Sequence, residues 1–259
     1  MMIMQTSRKY RASGRYLAAT LAAYLMAACP VFATPAQSPA SNMDNCVQDN
    51  SSAIAIRACT LVLASASLSP AERVRIYMRR SMAWIIEEEP SAAVEDYSHV
   101  LEIEPKNLDA LKGRARASAL AGDHATAVAG WTQVIADLPA NDAAYRGRGA
   151  SQLALGNHDE ALADYTKSLE INPKDVKAYI GRANVYDALK DRQKALKEFD
   201  SAIAVDPNFI RVYWVRGEMA DSWGEKDIAI ASYVKVLALN GVYEDARRRL
   251  QKLGILHPP

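Results

Sequence analysis

Between residues 74 and 243 the chain repeats itself every 34 residues, and that period constrains the fold more tightly than any other feature. Alanine recurs as Ala93, Ala127, Ala161, Ala195 and Ala229. Four positions after each stands an aromatic residue (Tyr97, Trp131, Tyr165, Phe199, Tyr233). A proline stands twelve positions after the first four (Pro105, Pro139, Pro173, Pro207), with Gly241 in the fifth place. Arginine supplies another column: Arg80, Arg114, Arg148, Arg182 and Arg216.

Each unit reads as one amphipathic helix, a turn near Gly122, Gly156 or Gly224, a second helix, and a proline where that helix must stop. Two such helices cannot bury their apolar faces alone. Stacking hairpins lets each unit cover the next, which makes stability a sum of neighbour interfaces and produces a curved superhelix. Small residues at the crossings let backbones approach to the short end of helix packing distances.

In the unit 176–209, Tyr179, Ala183, Tyr186, Ala195, Phe199, Ala202 and Pro207 set out a pattern that resembles the tetratricopeptide repeat family. The resemblance covers residues 74–243 without insertion, with a departure at Glu88-Glu89-Pro90, where glycine is expected. It implies an all-α, right-handed α-solenoid of five units: 74–107, 108–141, 142–175, 176–209 and 210–243. It also implies a scaffold that binds other proteins and is not an enzyme.

The flanks are read by the same register. Residues 34–73 form a linker and a degenerate N-terminal hairpin: with Ala55 in the alanine column, Cys59 falls in the aromatic column and Cys46 in the column of Tyr186. Those columns lie on facing helices. Extra residues at Leu68 to Ala71 interrupt the period before the array begins. Residues 244–259 read as a capping helix and tail, with Arg247, Arg248 and Arg249 outward and Leu250 and Leu253 inward.

Residues 1–33 read as an export signal, with Arg8, Lys9, Arg11 and Arg15 ahead of an apolar run from Tyr16 to Cys29 and a cleavage point after Ala33. The run is shorter than the ~20 apolar residues a membrane span needs. Its removal takes four cations and no anions, leaving 27 basic against 30 acidic residues, a net charge of −3 that argues against nucleic acid as partner. Met26-Ala27-Ala28-Cys29 resembles a lipobox, so a membrane lipoprotein held through Cys29 stands as the alternative to a soluble periplasmic protein. The cleaved chain keeps two thiols, Cys46 and Cys59, and an even count in an oxidising compartment points to a bridge, with two buried free thiols as the other reading. The chain further resembles short exported repeat proteins of proteobacteria that open with a paired-cysteine segment.

In the family the resemblance names, the concave groove is lined by one stripe of the first helix of each unit. In register that partner-binding stripe contains Arg75, Met78, Met82, Ile85, Lys112, Arg116, Arg146, Lys177, Ile180, Arg211 and Trp214. Cations dominate its first three units, whereas Asp187, Glu218 and Asp221 outweigh Lys177 and Arg211 in the last two. A polarised groove of this kind calls for a protein or peptide with an acidic-hydrophobic segment. The family's carboxylate clamp is not reproduced: Lys112 and Lys177 match, but Arg116, Gly147 and Gly181 stand where asparagine, asparagine and arginine belong. Arg80, Arg148 and Arg182 have Asp96, Asp164 and Glu198 sixteen residues on, so the arginine column reads as an intra-repeat ion pair worth under about 1 kcal/mol if exposed. His124 and His158 share one column and read as exposed loop residues. No phosphate loop, dinucleotide motif, nucleophile elbow or metal-binding histidine pair occurs, and the sequence calls for no cofactor and no metal. Taken together, these readings describe a non-catalytic interaction scaffold of the bacterial cell envelope, or in the lipoprotein alternative a membrane-tethered assembly factor.

Overall fold

The structure is a computed structural model that describes residues 39–48, 51–64 and 67–255, which form thirteen helices and no strand. The export segment 1–33 and Cys29 lie outside the described residues. The N-terminal hairpin is α1 (Pro39–Val47) and α2 (Ser52–Leu63). Five hairpins follow: α3 (Pro70–Ile86) with α4 (Pro90–Ile103), α5 (Leu108–Leu120) with α6 (His124–Asp137), and α7 (Asp142–Ala154) with α8 (His158–Ile171), then α9 (Val176–Ala188) with α10 (Arg192–Val205) and α11 (Ile210–Trp223) with α12 (Lys226–Leu239). The last helix is α13 (Glu244–Lys252). Each helix packs on its neighbours in the chain, and successive first helices also touch, α7 on α9 and α9 on α11. The result is an α-solenoid.

Local chemistry sets the helix ends. Asn107, Asp123, Asn141, Asp175 and Asp191 each accept a hydrogen bond from the backbone N–H three residues on, satisfying donors that the first turn leaves open. At the far ends, Glu104, Leu138, Asn172 and Asp206 take φ between −127° and −141°. That is the extended backbone required ahead of Pro105, Pro139, Pro173 and Pro207. His124 and His158 are the first residues of α6 and α8 and are half-buried, so they are helix-start residues and not exposed loop residues.

Within each unit the turn adopts one geometry whatever residue stands there. Gly122, Gly156 and Gly224 have φ of 84°, 81° and 80°, and in the two remaining units Glu88 and Lys190 take φ of 60° and 62°. The hairpin packing imposes a left-handed residue, and glycine meets that demand with the least strain. The extra residues before the array do not interrupt it either. Ser69 and Glu72 form a reciprocal capping box with Pro70 as the first helical residue, so α3 starts early and runs 17 residues.

The alanine column is fully buried: Ala93, Ala127, Ala161, Ala195 and Ala229 expose nothing. The arginine column behaves differently from a surface ion pair. Arg80 bonds Asp96 at 2.6 and 2.9 Å, Arg148 bonds Asp164 at 2.7 and 2.9 Å, and Arg182 bonds Glu198 at 2.8 Å. The acceptors are buried, Asp96 to 2% exposure. Each of these arginines also reaches back to a hydroxyl on the preceding hairpin, Thr60, Thr132 or Thr166, at 2.8, 3.2 and 3.4 Å. One guanidinium therefore ties three consecutive helices together. Removing it would strand a buried carboxylate, a change worth about 3–5 kcal/mol and not the fraction expected at a surface. In the fifth unit the column changes hands: Ser232 replaces the carboxylate, and Arg216 lies 3.8 Å from Asp200 on α10.

At the N-terminal end, Cys46 on α1 and Cys59 on α2 are fully buried, with Cα atoms 4.8 Å apart and sulfurs at bonding distance. Arg79 of α3 donates to the carbonyls of Cys46 and Gln48 at 3.3 and 2.9 Å, fastening this hairpin to the array. At the other end α13 buries Ala246 and Leu250 against the last unit. Arg249 does not point outward with Arg247 and Arg248. It turns to α11 and lies 2.9 Å from Asp221 and 3.7 Å from Glu218, because those carboxylates otherwise face one another without a cation.

The turn geometry predicts opposite outcomes for two exchanges. Gly156→Ala should lower unfolding free energy by about 1–2 kcal/mol. Lys190→Gly should leave it unchanged or raise it by less than about 1 kcal/mol, since relief of strain opposes the entropy of the unfolded glycine. Urea denaturation of both variants checks this.

Candidate functional site

The first helices α3, α5, α7, α9 and α11 line one continuous cavity of about 930 Å³. Its floor is built from rings of the second helices laid on glycine. A Cβ on Gly113 would come within 2.4 Å of the Tyr97 ring, one on Gly147 within 2.6 Å of Trp131, and one on Gly181 within 2.2 Å of Tyr165. Only glycine lets the next first helix approach so closely, and the same rings then show an edge to the cavity. These three glycines recur at the 34-residue interval inside helices, a signal that sequence reading passed over because it weighed Gly147 and Gly181 only as missing clamp residues. The column ends at Val215, which shares a core cluster with Phe199.

The walls are basic. Lys112, Arg116, Arg146, Lys177 and Arg211 line the cavity, and none of its lining residues is acidic. Arg116, Lys177 and Arg211 are exposed and make no side-chain hydrogen bond or ion pair among the described residues. Lys112 lies 3.8 Å from the highly exposed Asp109, a pair of little strength. Arg146 is committed, since its guanidinium bonds Asp175, the buried residue that caps α9. Met82, Ile85 and Ile86 form an apolar end, with Met82 and Ile86 exposed, and Asn184 adds a neutral polar group.

The cavity takes in part of the stripe. Met82, Lys112, Arg116, Arg146, Lys177 and Arg211 come together, but Arg75, Met78 and Trp214 do not line the cavity. Met78 packs against the core around Ala93 and Tyr97. Trp214 is covered by Tyr233 and Tyr243, with ring centroids 5.5 and 5.1 Å away. Nor does the basic character stop halfway. Lys177 and Arg211 belong to the same basic cavity, while the acidic residues of the later units are occupied elsewhere: Asp187 accepts from Trp223 Nε1 at 2.6 Å, and Asp221 and Glu218 face Arg249.

Burial tunes one floor residue. Desolvation pushes the Tyr165 hydroxyl up to about 12, with nearby Arg146 pulling the other way and Asp164 adding to the rise. Tyr233, beyond the cavity, is pushed up to about 12 for the same reason, opposed by Arg249.

Helix hairpins in unbroken succession define the chain as an α-solenoid of helix-turn-helix repeats. Residues 143–175 and 176–209 each match the tetratricopeptide repeat family, and these two units are tetratricopeptide repeats. No curated protein matches its sequence. Among solved structures it is similar to a thermophilic tetratricopeptide repeat protein of Thermus thermophilus, at 22% identity over 71% of this chain and 100% of that one, with a TM-score of 0.61. A tetratricopeptide repeat protein of Parabacteroides merdae is similar at 19% identity over 78% of both chains, with a TM-score of 0.63. MamA of Desulfovibrio magneticus is similar at 21% identity over 68% of this chain and 99% of that one, with a TM-score of 0.55. At such identities the likeness establishes the fold.

The tyrosines give a pH-dependence with a definite sign. Their folded pKa lies above the ordinary value near 10, so their contribution is complete below about pH 10 and is lost as pH rises through about 12. Ultraviolet titration of the folded protein should show Tyr165 and Tyr233 ionising last, and Tyr165→Phe should remove part of the alkaline loss of stability.

Proposed function

We propose that this chain is a non-catalytic adaptor of the bacterial cell envelope that holds an acidic-hydrophobic segment of a partner protein in its groove. The observation that carries this reading is the cavity wall, with five cations and no carboxylate, over an aromatic floor and beside exposed Met82 and Ile86. Three of those cations are exposed and have no ion pair among the described residues, so an incoming carboxylate meets donors that are not already engaged. Tyr97, Trp131 and Tyr165 offer rigid apolar edges that lose little side-chain entropy on contact. An adaptor of this kind needs no cofactor or metal, and the net charge of −3 left by removal of residues 1–33 disfavours nucleic acid.

Reversal at Arg116 and Lys177, both to glutamate, tests the groove without disturbing the paired Arg146. Partners captured from the envelope by the unaltered protein should be lost by about tenfold or more at low salt. Retention of the same partners at low and moderate salt sinks the basic-groove reading.

The envelope assignment is supported by the export-type segment 1–33 and by two cysteines brought to bonding distance. Intact mass of the protein from an envelope fraction, alkylated before and after reduction, checks both points. A chain beginning at Thr34 that takes up reagent only after reduction is the expected result. A diacylated chain beginning at Cys29 would make it a tethered lipoprotein, and an uncleaved chain with free thiols would overturn export.

A further inference from the structure

The chain itself carries a segment of the kind its groove accepts. The turn joining α3 to α4 reads Ile86-Glu87-Glu88-Glu89, and all four residues are exposed, Ile86 to 67%. Glu87 accepts a hydrogen bond from Ser52 Oγ, but none of the three glutamates has a cationic partner among the described residues. Glu88 holds the left-handed backbone of the turn. On the cavity wall, Arg116, Lys177 and Arg211 are exposed cations without ion pairs among the described residues. Three unpaired acids beside an exposed isoleucine and three unpaired cations beside aromatic rings are complementary in charge and in polarity.

We infer that the groove binds the Ile86–Glu89 turn of a second copy of this chain. The inference rests on the groove reading given above and names one occupant for it. Ile86 sits at the apolar end of its own cavity, so the turn cannot fold back onto its own Lys177 and Arg211, which belong to α9 and α11, three and four hairpins along. Within one molecule the turn has only Arg116 of the three, on the next hairpin, so pairing with Lys177 and Arg211 calls for a second molecule. The three glutamates and the three cations are different patches of one surface, so the contact either closes as a reciprocal dimer or runs on as an open chain. Occupation by another copy would also compete with any other acidic partner, and self-association would then set how much groove is free.

A charge exchange tests this. Purified protein at low salt should sediment as more than a monomer, with the association weakening as salt is added. The variant Glu87→Lys/Glu88→Lys/Glu89→Lys and the variant Arg116→Glu/Lys177→Glu/Arg211→Glu should each lose association about tenfold or more when alone. Mixed in equal amounts they should associate again, because each then offers the other an opposite charge in both directions. A monomer at every concentration, or a mixture that stays dissociated while both variants keep their helical content, overturns the inference. A labelled peptide with the sequence of residues 85–90 separates the two readings. If it binds the unaltered protein and not the groove variant while the protein stays monomeric, the groove reading stands and self-association falls. If the peptide fails to bind and the mixture fails to associate, both fall.

Discussion

Ring on glycine is the contact on which the rest of this structure depends. Tyr97 over Gly113, Trp131 over Gly147 and Tyr165 over Gly181 each join a second helix to the first helix of the next unit. A side chain as small as alanine at any of these glycines would force a ring that lines the groove to move. Stacking of the hairpins and the floor of the site are thus one interaction seen from two sides. The buried alanines lie within each hairpin, and the arginines that bridge to Asp96, Asp164 and Glu198 also reach Thr60, Thr132 and Thr166 on the preceding hairpin.

The fold was legible because its determinants recur. Alanine, aromatic, proline and arginine columns each repeat at one interval, and a defect in one unit is outvoted by the others. The left-handed turn at Glu88 and Lys190 shows the same logic physically: the packing of two helices overrides the preference of one residue. Local signals still won where they were strong, as the capping box at Ser69 and Glu72 started α3 before the period required.

The groove was legible in composition and much less so in detail. A helical stripe assumes that each first helix has only its own second helix for company. Trp214 lies in the stripe, yet Tyr243, the residue that caps α13 at the very end of the fifth unit, helps to cover it. Arg146 lies in the stripe too, but its partner Asp175 is 29 residues on, an offset that belongs to no column. Arg249 neutralises Asp221 and Glu218 from a helix outside the repeat altogether. Each failure comes from a contact that occurs once, and a method built on recurrence is blind to single events. The glycine column is the opposite case, since it recurs and was overlooked because glycine inside a helix reads as a weakness and not as a fitting.

That column stops before the array does. At Val215 the glycine gives way, and Phe199 packs into the core beside it. The number of hairpins and the length of the ring-paved floor are therefore independent quantities, one set by how many times a unit has been copied and the other by a single small residue within it. A lineage that duplicated units of the Val215 type would grow a longer rod with the same footprint for its partner. Copying units of the Gly181 type would instead lengthen the footprint, so the chain can adjust its reach and its grip separately.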